Sequence, residues 1–164
     1  MESLFARLFL DLQEQIKTKV PDVVYIEQDL GQLGTEDPRK SLMFPAVLID
    51  FPSTPFSNLQ GDNQLGSPVI SVTLVFDNWN QTYQLSPLEV RKAGLNYLEV
   101  EQKLYKTIQG WNADYCEKLN RTNANGHNRN DVGLRVRELI FTTQFEDYSC
   151  DDATPTMQLG LRTE

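Results

Sequence analysis

One stretch near the middle of the chain, residues 67–77, has the strictest period-two pattern in the sequence. Ile70, Val72, Leu74 and Phe76 alternate with residues that are mostly polar, so one side of the segment is apolar and the other is mixed. This alternation predicts a central β-strand of an antiparallel sheet. Such a strand needs helices on its apolar face, and it leaves the mixed face to solvent or to a partner.

Two segments have apolar residues at steps of three and four, which predicts two amphipathic helices. The first covers about residues 2–19 and ends before Pro21, because a proline disfavours helical geometry at the preceding residue. The second covers about residues 92–110. Its apolar stripe, which we expect to pack on the central strand, is Tyr97, Val100, Leu104, Ile108 and Trp111.

A capping box is predicted just before the second helix. Ser86 precedes Pro87, and Glu89 follows three residues after the serine. In this pattern the serine side chain accepts from the amide of the glutamate, whose carboxylate reaches back, while proline suits the first helical position. We therefore expect Ser86 to cap a helix.

The remaining strands and loops follow from apolar runs and from glycine, proline and asparagine clusters. Strands are predicted at 23–27, 44–51 and 134–148, and long loops at about 28–43, 52–66 and 112–133. The result is a single α+β domain over residues 1–164, in the order α-β-β-β-α-β with room for one more strand. Its antiparallel, twisted sheet of four or five strands carries the two main helices on one face.

The last predicted strand has a change of parity. Leu134 and Val136 lie on one side of an extended chain, whereas Leu139, Phe141 and Phe145 lie on the other. A β-bulge near Glu138 would bring both sets to the core face. Further on, Met157, Leu159 and Leu161 alternate, which suits an edge strand added to this domain or to a neighbouring copy.

Composition argues against several classes of protein. The formal net charge of −8 does not suit a protein that grips nucleic acid through phosphates, which needs a clustered basic surface. Arg135 and Arg137 come nearest to a basic stripe, and we interpret them as a solvated strand edge. The sequence shows neither an apolar run near 18 residues nor a secretory leader pattern, so we expect a cytoplasmic start and no membrane contact.

The residues of catalysis and metal binding are sparse and scattered. Cys116 and Cys150 are separated by 34 residues, match no zinc spacing, and are expected to be unpaired thiols. His127 lies in an asparagine-rich stretch that we interpret as a polar loop. The densest carboxylates, at 146–147 and 151–152, lack the spacing of a calcium or magnesium loop. We expect that the protein is not an enzyme and that it has no catalytic residue, no cofactor and no metal site.

The predicted loop at 52–66 is the best candidate for an interaction site. It is far longer than an ordinary hairpin connection, and it contains two large apolar residues, Phe56 and Leu59. They either form a packing surface for a partner or fold back onto their own domain, and the sequence favours neither. If they bind a partner, we expect the loop to be mobile in the free chain and ordered in the assembly.

Taken together, these elements resemble the tail terminator proteins of long-tailed bacteriophages, also called tail completion or minor tail proteins. The likeness lies in the amphipathic first helix, in Val-Val-Tyr-Ile at 23–26, and in Phe-Pro-Ala-Val-Leu-Ile at 44–49 before a long hairpin. It continues in the helix that ends near Trp111 and in Leu-Ile-Phe-Thr-Thr at 139–143. It spans most of the chain.

The resemblance implies a structural virion protein. Proteins of that family form a ring, generally of six copies, that caps the tail tube and joins it to the head-side connector. The implied partners are other copies of the chain, the tail tube protein and the connector protein, while DNA passes through the lumen without specific binding. The implied location is the virion, and the host cytoplasm during assembly. An acidic chain suits a channel that must not retain DNA.

Two other classes stay open at this point. The first is a cytoplasmic protein–protein adaptor that works as a monomer or dimer through the Phe56 loop. The second is an enzyme with unrecognised carboxylate chemistry. Ring formation would separate the terminator from the adaptor, and metal-dependent turnover would favour the enzyme.

Overall fold

The computed structural model describes residues 3–78, 80–129 and 132–150. Its two α-helices are α1 (Leu4–Lys19) and α2 (Leu88–Ile108). Its strands are β1 (Tyr25–Gln28), β2 (Ala46–Ser53), β3 (Phe56–Asn58), β4 (Gln64–Gly66), β5 (Val69–Phe76), β6 (Asn120–Arg129), β7 (Leu134–Thr142) and β8 (Phe145–Asp147). The predicted α+β class is confirmed. The predicted strand at Met157–Leu161 lies outside the described residues.

Five strands form the main sheet, in the order β1-β2-β5-β7-β6. The strand predicted from period-two alternation, β5, lies at its centre as expected. The sheet is mixed and not purely antiparallel, because β1 pairs with β2 in parallel while the other neighbours are antiparallel. The segment between β1 and β2 has short 3-10 turns at Gln32–Gly34 and Pro38–Lys40. It returns the chain to the end of the sheet at which β1 begins, so that β2 runs parallel to β1.

Both helices cover one face of the main sheet, which we call the helix face. The predicted stripe of α2 is confirmed, because Val100, Leu104 and Ile108 are fully buried and Tyr97 and Trp111 pack against them. The remaining buried members of this core come from α1, the central strands and the segment after α2. They include Leu8, Leu12, Ile16, Val47, Ile49, Ile70, Val72, Leu74, Leu119, Leu139 and Phe141.

The opposite face, which we call the outer face, carries a second, smaller core. Leu134 and Val136 pack there with Ala46 and Val75, flanked by partly buried side chains that include Phe44. The expectation of a bulge near Glu138 is therefore wrong. The pairing of β5 with β7 runs without a shift from Val69–Thr142 to Phe76–Arg135. Alternate residues of β7 therefore point to opposite faces of the sheet and pack in different cores. The bulge lies instead on β6, between Arg121 and Asn123.

Two of the three predicted long loops contain regular structure. Ten residues of the predicted loop 112–133, including His127, form β6, which pairs with β7 along its whole length. Residues 52–66 contain the end of β2 and the β3–β4 hairpin. The predicted strand 134–148 is interrupted at 143–144, and its last part, β8, pairs with β4 in a separate three-stranded sheet of order β3-β4-β8, the small sheet.

The capping box is also wrong. The helix begins at Leu88, the residue before it is Pro87, and no side chain caps the first turn. Ser86 is buried, and its amide donates to the carbonyl of Tyr83 within the preceding turn. Its hydroxyl donates to Gln81 Oε1 at 3.5 Å. The serine therefore stabilises the turn that leads into α2.

The side of α2 that faces the sheet is held by a bidentate ion pair. Arg137 of β7 donates from Nε to Glu101 Oε2 at 2.5 Å and from Nη2 to Oε1 at 3.1 Å. This contact to Glu101 raises the pKa of Arg137, against the effect of burial. Since β7 is an interior strand, the interpretation of Arg135 and Arg137 as a solvated strand edge is wrong.

Candidate protein-interaction surfaces

The β3–β4 hairpin presents the two apolar residues predicted as an interface. Phe56 opens β3 and Leu59 follows it, and their side chains are 46% and 36% exposed. Phe56 also packs on its own chain, because its ring meets the ring of Phe145 edge to face at a centroid distance of 6.0 Å. The hairpin therefore has an anchored base and an exposed apolar surface near its tip.

A glycine makes this packing possible. A Cβ at Gly66 of β4 would lie 2.5 Å from Phe145 Cζ and 2.9 Å from Phe56 Cε1, closer than real Cβ contacts. Phe145 in turn meets Phe5 of α1 at 5.9 Å, and Phe5 meets Phe51 of β2 at 5.3 Å. An aromatic chain thus runs from the hairpin into the main core.

A groove lies beside the base of the hairpin. One cavity of about 590 Å³ lies between the start of α1 and β8, and an adjoining one of about 710 Å³ follows residues 112–117. Tyr115 lines both, and its hydroxyl donates to Asp11 Oδ2 at 2.5 Å. Burial, aided by the contact with Asp11, raises the pKa of Tyr115 well above its usual range. The tyrosine is therefore a neutral hydrogen-bond donor that ties residues 112–117 to α1.

A second exposed apolar surface lies on α2. Leu88, Leu95 and Leu98 all point away from the sheet, and Leu85 just before the helix is 79% exposed. Steps of seven and three residues place the three leucines on one side of the helix, roughly opposite its buried stripe. We call these four residues the α2 apolar surface. Sequence reasoning missed it, although the spacing of the three helical leucines was a visible signal.

The outer face has a polar cluster around Glu138. Its carboxylate accepts from Ser71 Oγ at 2.9 Å and from Asn125 Nδ2 at 3.1 Å, and it lies 3.2 Å from His127 Nε2. Burial acts to raise the pKa of Glu138, but these hydrogen bonds outweigh burial and lower it. The cluster joins three adjacent strands and leaves the carboxylate only partly exposed.

The residues considered for chemistry do not converge in the described part of the chain. Cys116 is buried and Cys150 is exposed, and both are free thiols, as expected. Burial raises the pKa of the Cys116 thiol, which keeps it protonated. Glu146 and Asp147 lie on β8, while Asp151 and Asp152 fall outside the described residues. Across residues 3–78, 80–129 and 132–150, no group of three or more His, Cys, Asp or Glu is placed to hold a metal ion.

Comparisons with known proteins complete the description. No protein-family model matches the chain, and no curated protein matches it. Among solved structures, the fold is similar to a chain from the virion of a native gene transfer agent (GTA) particle, with a TM-score of 0.43 and 8% sequence identity. The similarity covers 83% of this chain and 84% of that one. Neither helix in the described residues is long and apolar enough to cross a membrane.

Proposed function

We propose that this chain is a structural virion protein that closes into a ring of copies at the end of a phage tail tube and joins it to the head-side connector. The observation that carries the proposal is the presence of two unlike apolar surfaces at opposite ends of the central strand. The hairpin with Phe56 and Leu59 leads into the start of β5 through Ser67 and Pro68. The α2 apolar surface lies near the other end of β5.

Contacts after β5 support this second position. Asn78, two residues beyond the strand, donates from Nδ2 to the carbonyl of Ala93 in α2 at 2.9 Å. A Cβ at Gly94 would lie 2.9 Å from the carbonyl oxygen of Asn80, so this turn of α2 lies close against the segment after β5. The N-terminal half of α2, with its exposed leucines, therefore belongs to the end of the sheet away from the hairpin.

Two unlike patches on one subunit suit head-to-tail association. In such a contact one patch of a copy binds a different patch of the next copy, and the chain of contacts closes into a ring if the rotation allows. A single self-complementary patch would give a twofold dimer instead. We propose a ring of six copies, with the tail tube protein and the connector protein as its other partners.

The charge of the chain is compatible with this role. A formal charge of −8 disfavours phosphate binding, so DNA would pass through the lumen without specific contacts. The role we propose is structural and not catalytic, and it needs no cofactor. The protein would reside in the virion, and in the host cytoplasm during assembly.

The test is a pair of charge substitutions on the hairpin. Phe56→Asp combined with Leu59→Asp should leave the fold intact and abolish association with itself and with tail tubes, because a carboxylate cannot be buried unpaired in an apolar interface. Leu30→Asp is the matched control, since Leu30 is 73% exposed and lies outside both surfaces. Circular dichroism checks the fold, light scattering gives the oligomer size, and electron microscopy shows rings and capped tubes.

The outcomes separate the proposed functions. A doubly substituted chain that still caps tubes would remove the hairpin from the interface. If Phe56→Asp disturbs the fold, Leu59→Asp alone serves as the test, because Leu59 lies near the hairpin tip. A wild-type chain that neither forms rings nor binds tubes would refute the terminator role and favour the monomeric or dimeric adaptor.

A further inference from the structure

The last strand of the small sheet, β8, is an open edge with a groove beside it. It pairs with β4 on one side, and in the described part of the chain no strand pairs with its other side. The cavity of about 590 Å³ is lined by five consecutive residues, 145–149, so it follows the backbone of the strand and not one face alone. An open edge of this kind is a template for an added strand.

The floor of the groove is apolar. Leu4 and Phe5 at the start of α1 line it together with Phe56 and Phe145. Tyr115 connects this cavity with the adjoining one of about 710 Å³, and we call the two together the β8 groove. Each volume lies in the range of about 300–1,000 Å³ that is typical of ligand pockets. The floor can therefore receive an apolar side chain of a partner.

The rim of the β8 groove is acidic. Four carboxylates line it against one guanidinium, and they belong to Asp114, Glu117, Glu146 and Asp147. The guanidinium is that of Arg7, which lies 3.3 Å from Asp114 Oδ1 and stacks 4.1 Å from the centre of the Tyr115 ring. Hydrogen bonds from Ser149 lower the pKa of Asp147, which is therefore charged at neutral pH. The rim thus attracts basic side chains.

Strand geometry determines where apolar and basic residues of a partner would lie. Phe145 and Asp147 share one face of β8 and Glu146 lies on the other, because side chains alternate along a strand. Each residue of an added strand lies directly opposite one residue of β8 and interacts with it. The best partner therefore has an apolar residue opposite Phe145 and two adjacent basic residues opposite Glu146 and Asp147.

We propose that the β8 groove binds an extended segment of a different protein, in which an apolar residue stands beside two basic residues, as a fourth strand of the small sheet. Neither Leu59 nor the α2 apolar surface lines this groove. The site therefore adds a partner to the proposed ring without depending on the contacts that close the ring.

The charge pattern favours a different protein over another part of this chain. The sequence has two pairs of adjacent basic residues, Arg39 with Lys40 and Arg91 with Lys92. They lie in a 3-10 turn and in α2, and not in extended segments. Residues 151–164 contain three acidic residues and one arginine, so the rim would repel them. Neither a second copy nor the C-terminal residues of the same chain match the groove.

The probe is a fluorescent peptide, Thr-Lys-Lys-Phe-Lys-Lys-Thr, which presents the required pattern to β8 in either direction. Fluorescence anisotropy measures its affinity for the full-length protein. Glu146→Gln with Asp147→Asn should weaken binding about tenfold, because two ion pairs at partly exposed sites are lost. Glu36→Gln with Glu99→Gln is the matched control. It removes the same charge at exposed residues outside the groove and should bind the peptide as the wild type does.

Two further measurements test the apolar floor and the added strand. A peptide with serine in place of phenylalanine should bind at least about tenfold more weakly, because it buries no large apolar side chain on the floor. Hydrogen exchange should show that the amides of β8 become protected when the lysine peptide is bound, while those of the other open edge, β6, are unchanged.

The remaining outcomes would overturn the inference. Equal binding by the groove variant and its matched control would mean that the peptide is attracted by overall charge. Equal binding of the serine peptide, or of a peptide with glutamate in place of each lysine, would exclude the proposed pattern. Amides of β8 that stay unprotected would exclude an added strand.

The C-terminal residues of the chain are tested as a competitor in the full-length protein. If Met157→Ser with Leu159→Ser binds the lysine peptide about tenfold more tightly than the wild type, residues 151–164 compete for the groove, and the assignment to a different protein is wrong. The ring is scored separately by electron microscopy. A groove variant that binds the peptide weakly should still form rings, whereas a wild-type chain that binds the peptide and never forms rings would refute the proposed function alone.

Discussion

Gly66→Ala tests whether the aromatic packing beneath the hairpin is as tight as the structure shows. The added Cβ would lie 2.5 Å from Phe145 Cζ and 2.6 Å from Cε1, whereas ordinary contacts begin near 3.4 Å. The Phe145 ring would therefore have to move by about 1 Å, which a close-packed side chain resists. Phe145 is buried and meets both Phe5 and Phe56, so the strain would spread to α1 and to the hairpin.

The expected cost is about 1–3 kcal/mol of unfolding free energy, the usual range for adding a methyl group to a well-packed core. Gly34→Ala is the control, because a Cβ there would meet no atom within 4 Å. Urea unfolding followed by tryptophan fluorescence gives both values, provided that the denaturant slope is unchanged. The cost of Gly66→Ala should be smaller in a Phe145→Leu background, because the smaller side chain leaves room for the added methyl group. The two substitutions are then energetically coupled.

If Gly66→Ala costs no more than Gly34→Ala, the ring of Phe145 moves freely and the aromatic chain does not brace the hairpin. If the cost is large but unchanged in the Phe145→Leu background, the strain arises elsewhere in the small sheet. Either result would refute the reasoning.

Two further predictions concern the two faces of the main sheet. Leu104→Ala should lower the free energy of unfolding by roughly 2–5 kcal/mol, the range for truncating a buried leucine. Leu10→Ala, on the exposed side of α1, should cost far less, and urea unfolding measures both. Equal losses would mean that the α2 stripe is not core. Because the folded pKa of Glu138 is lowered, its contribution to stability is present above its unfolded pKa and is lost as the pH falls through the folded pKa. Glu138→Gln should therefore flatten the fall in stability at acid pH, and an unchanged slope would contradict this.

Local pattern was sufficient to predict the central part of the fold. The alternation of Ile70, Val72, Leu74 and Phe76 predicted the middle strand, and the stripe that includes Leu104 predicted the helix that covers it. These patterns are informative because one face of each element is buried in the same core, and burial imposes the period on the sequence. Free thiols at Cys116 and Cys150 were also expected, because two cysteines are too few for a disulfide scaffold and a cytoplasmic chain is expected to keep its thiols reduced.

Tertiary context decided the parts that local pattern misjudged. The asparagine-rich strand β6 has few side chains in the core, so it left no apolar period; pairing with β7 stabilises it instead. The parity change at Leu134 and Val136 was a true signal of a second core, but a bulge was an equally simple explanation from one sequence. Nothing local could show that β1 and β2 are parallel, since this depends on the path of the segment between them.

The candidate site was only partly predictable for a related reason. Phe56 and Leu59 stood out as apolar residues in a polar stretch, but the anchoring of Phe56 on Phe145 joins residues 89 positions apart in the sequence. The interpretation that the hairpin folds back onto its own domain holds in part, because Phe56 packs on Phe145 while nearly half of its surface stays exposed. Whether that surface binds a partner stays a prediction.

The short links between the two sheets have a mechanical consequence. Only residues 67–68 separate β4 from β5, and only residues 143–144 separate β7 from β8, so two neighbouring strands of the main sheet continue side by side into the small one. The amide of Ser67 donates to the Pro55 carbonyl, and the Thr143 hydroxyl donates to the Glu117 carbonyl, which braces both links. These short links and hydrogen bonds join the hairpin to the main sheet at its base, and the expected ordering of the hairpin on assembly stays a prediction. Because β4 continues into β5 through only two residues, force applied at the hairpin tip would pass directly to the central strand.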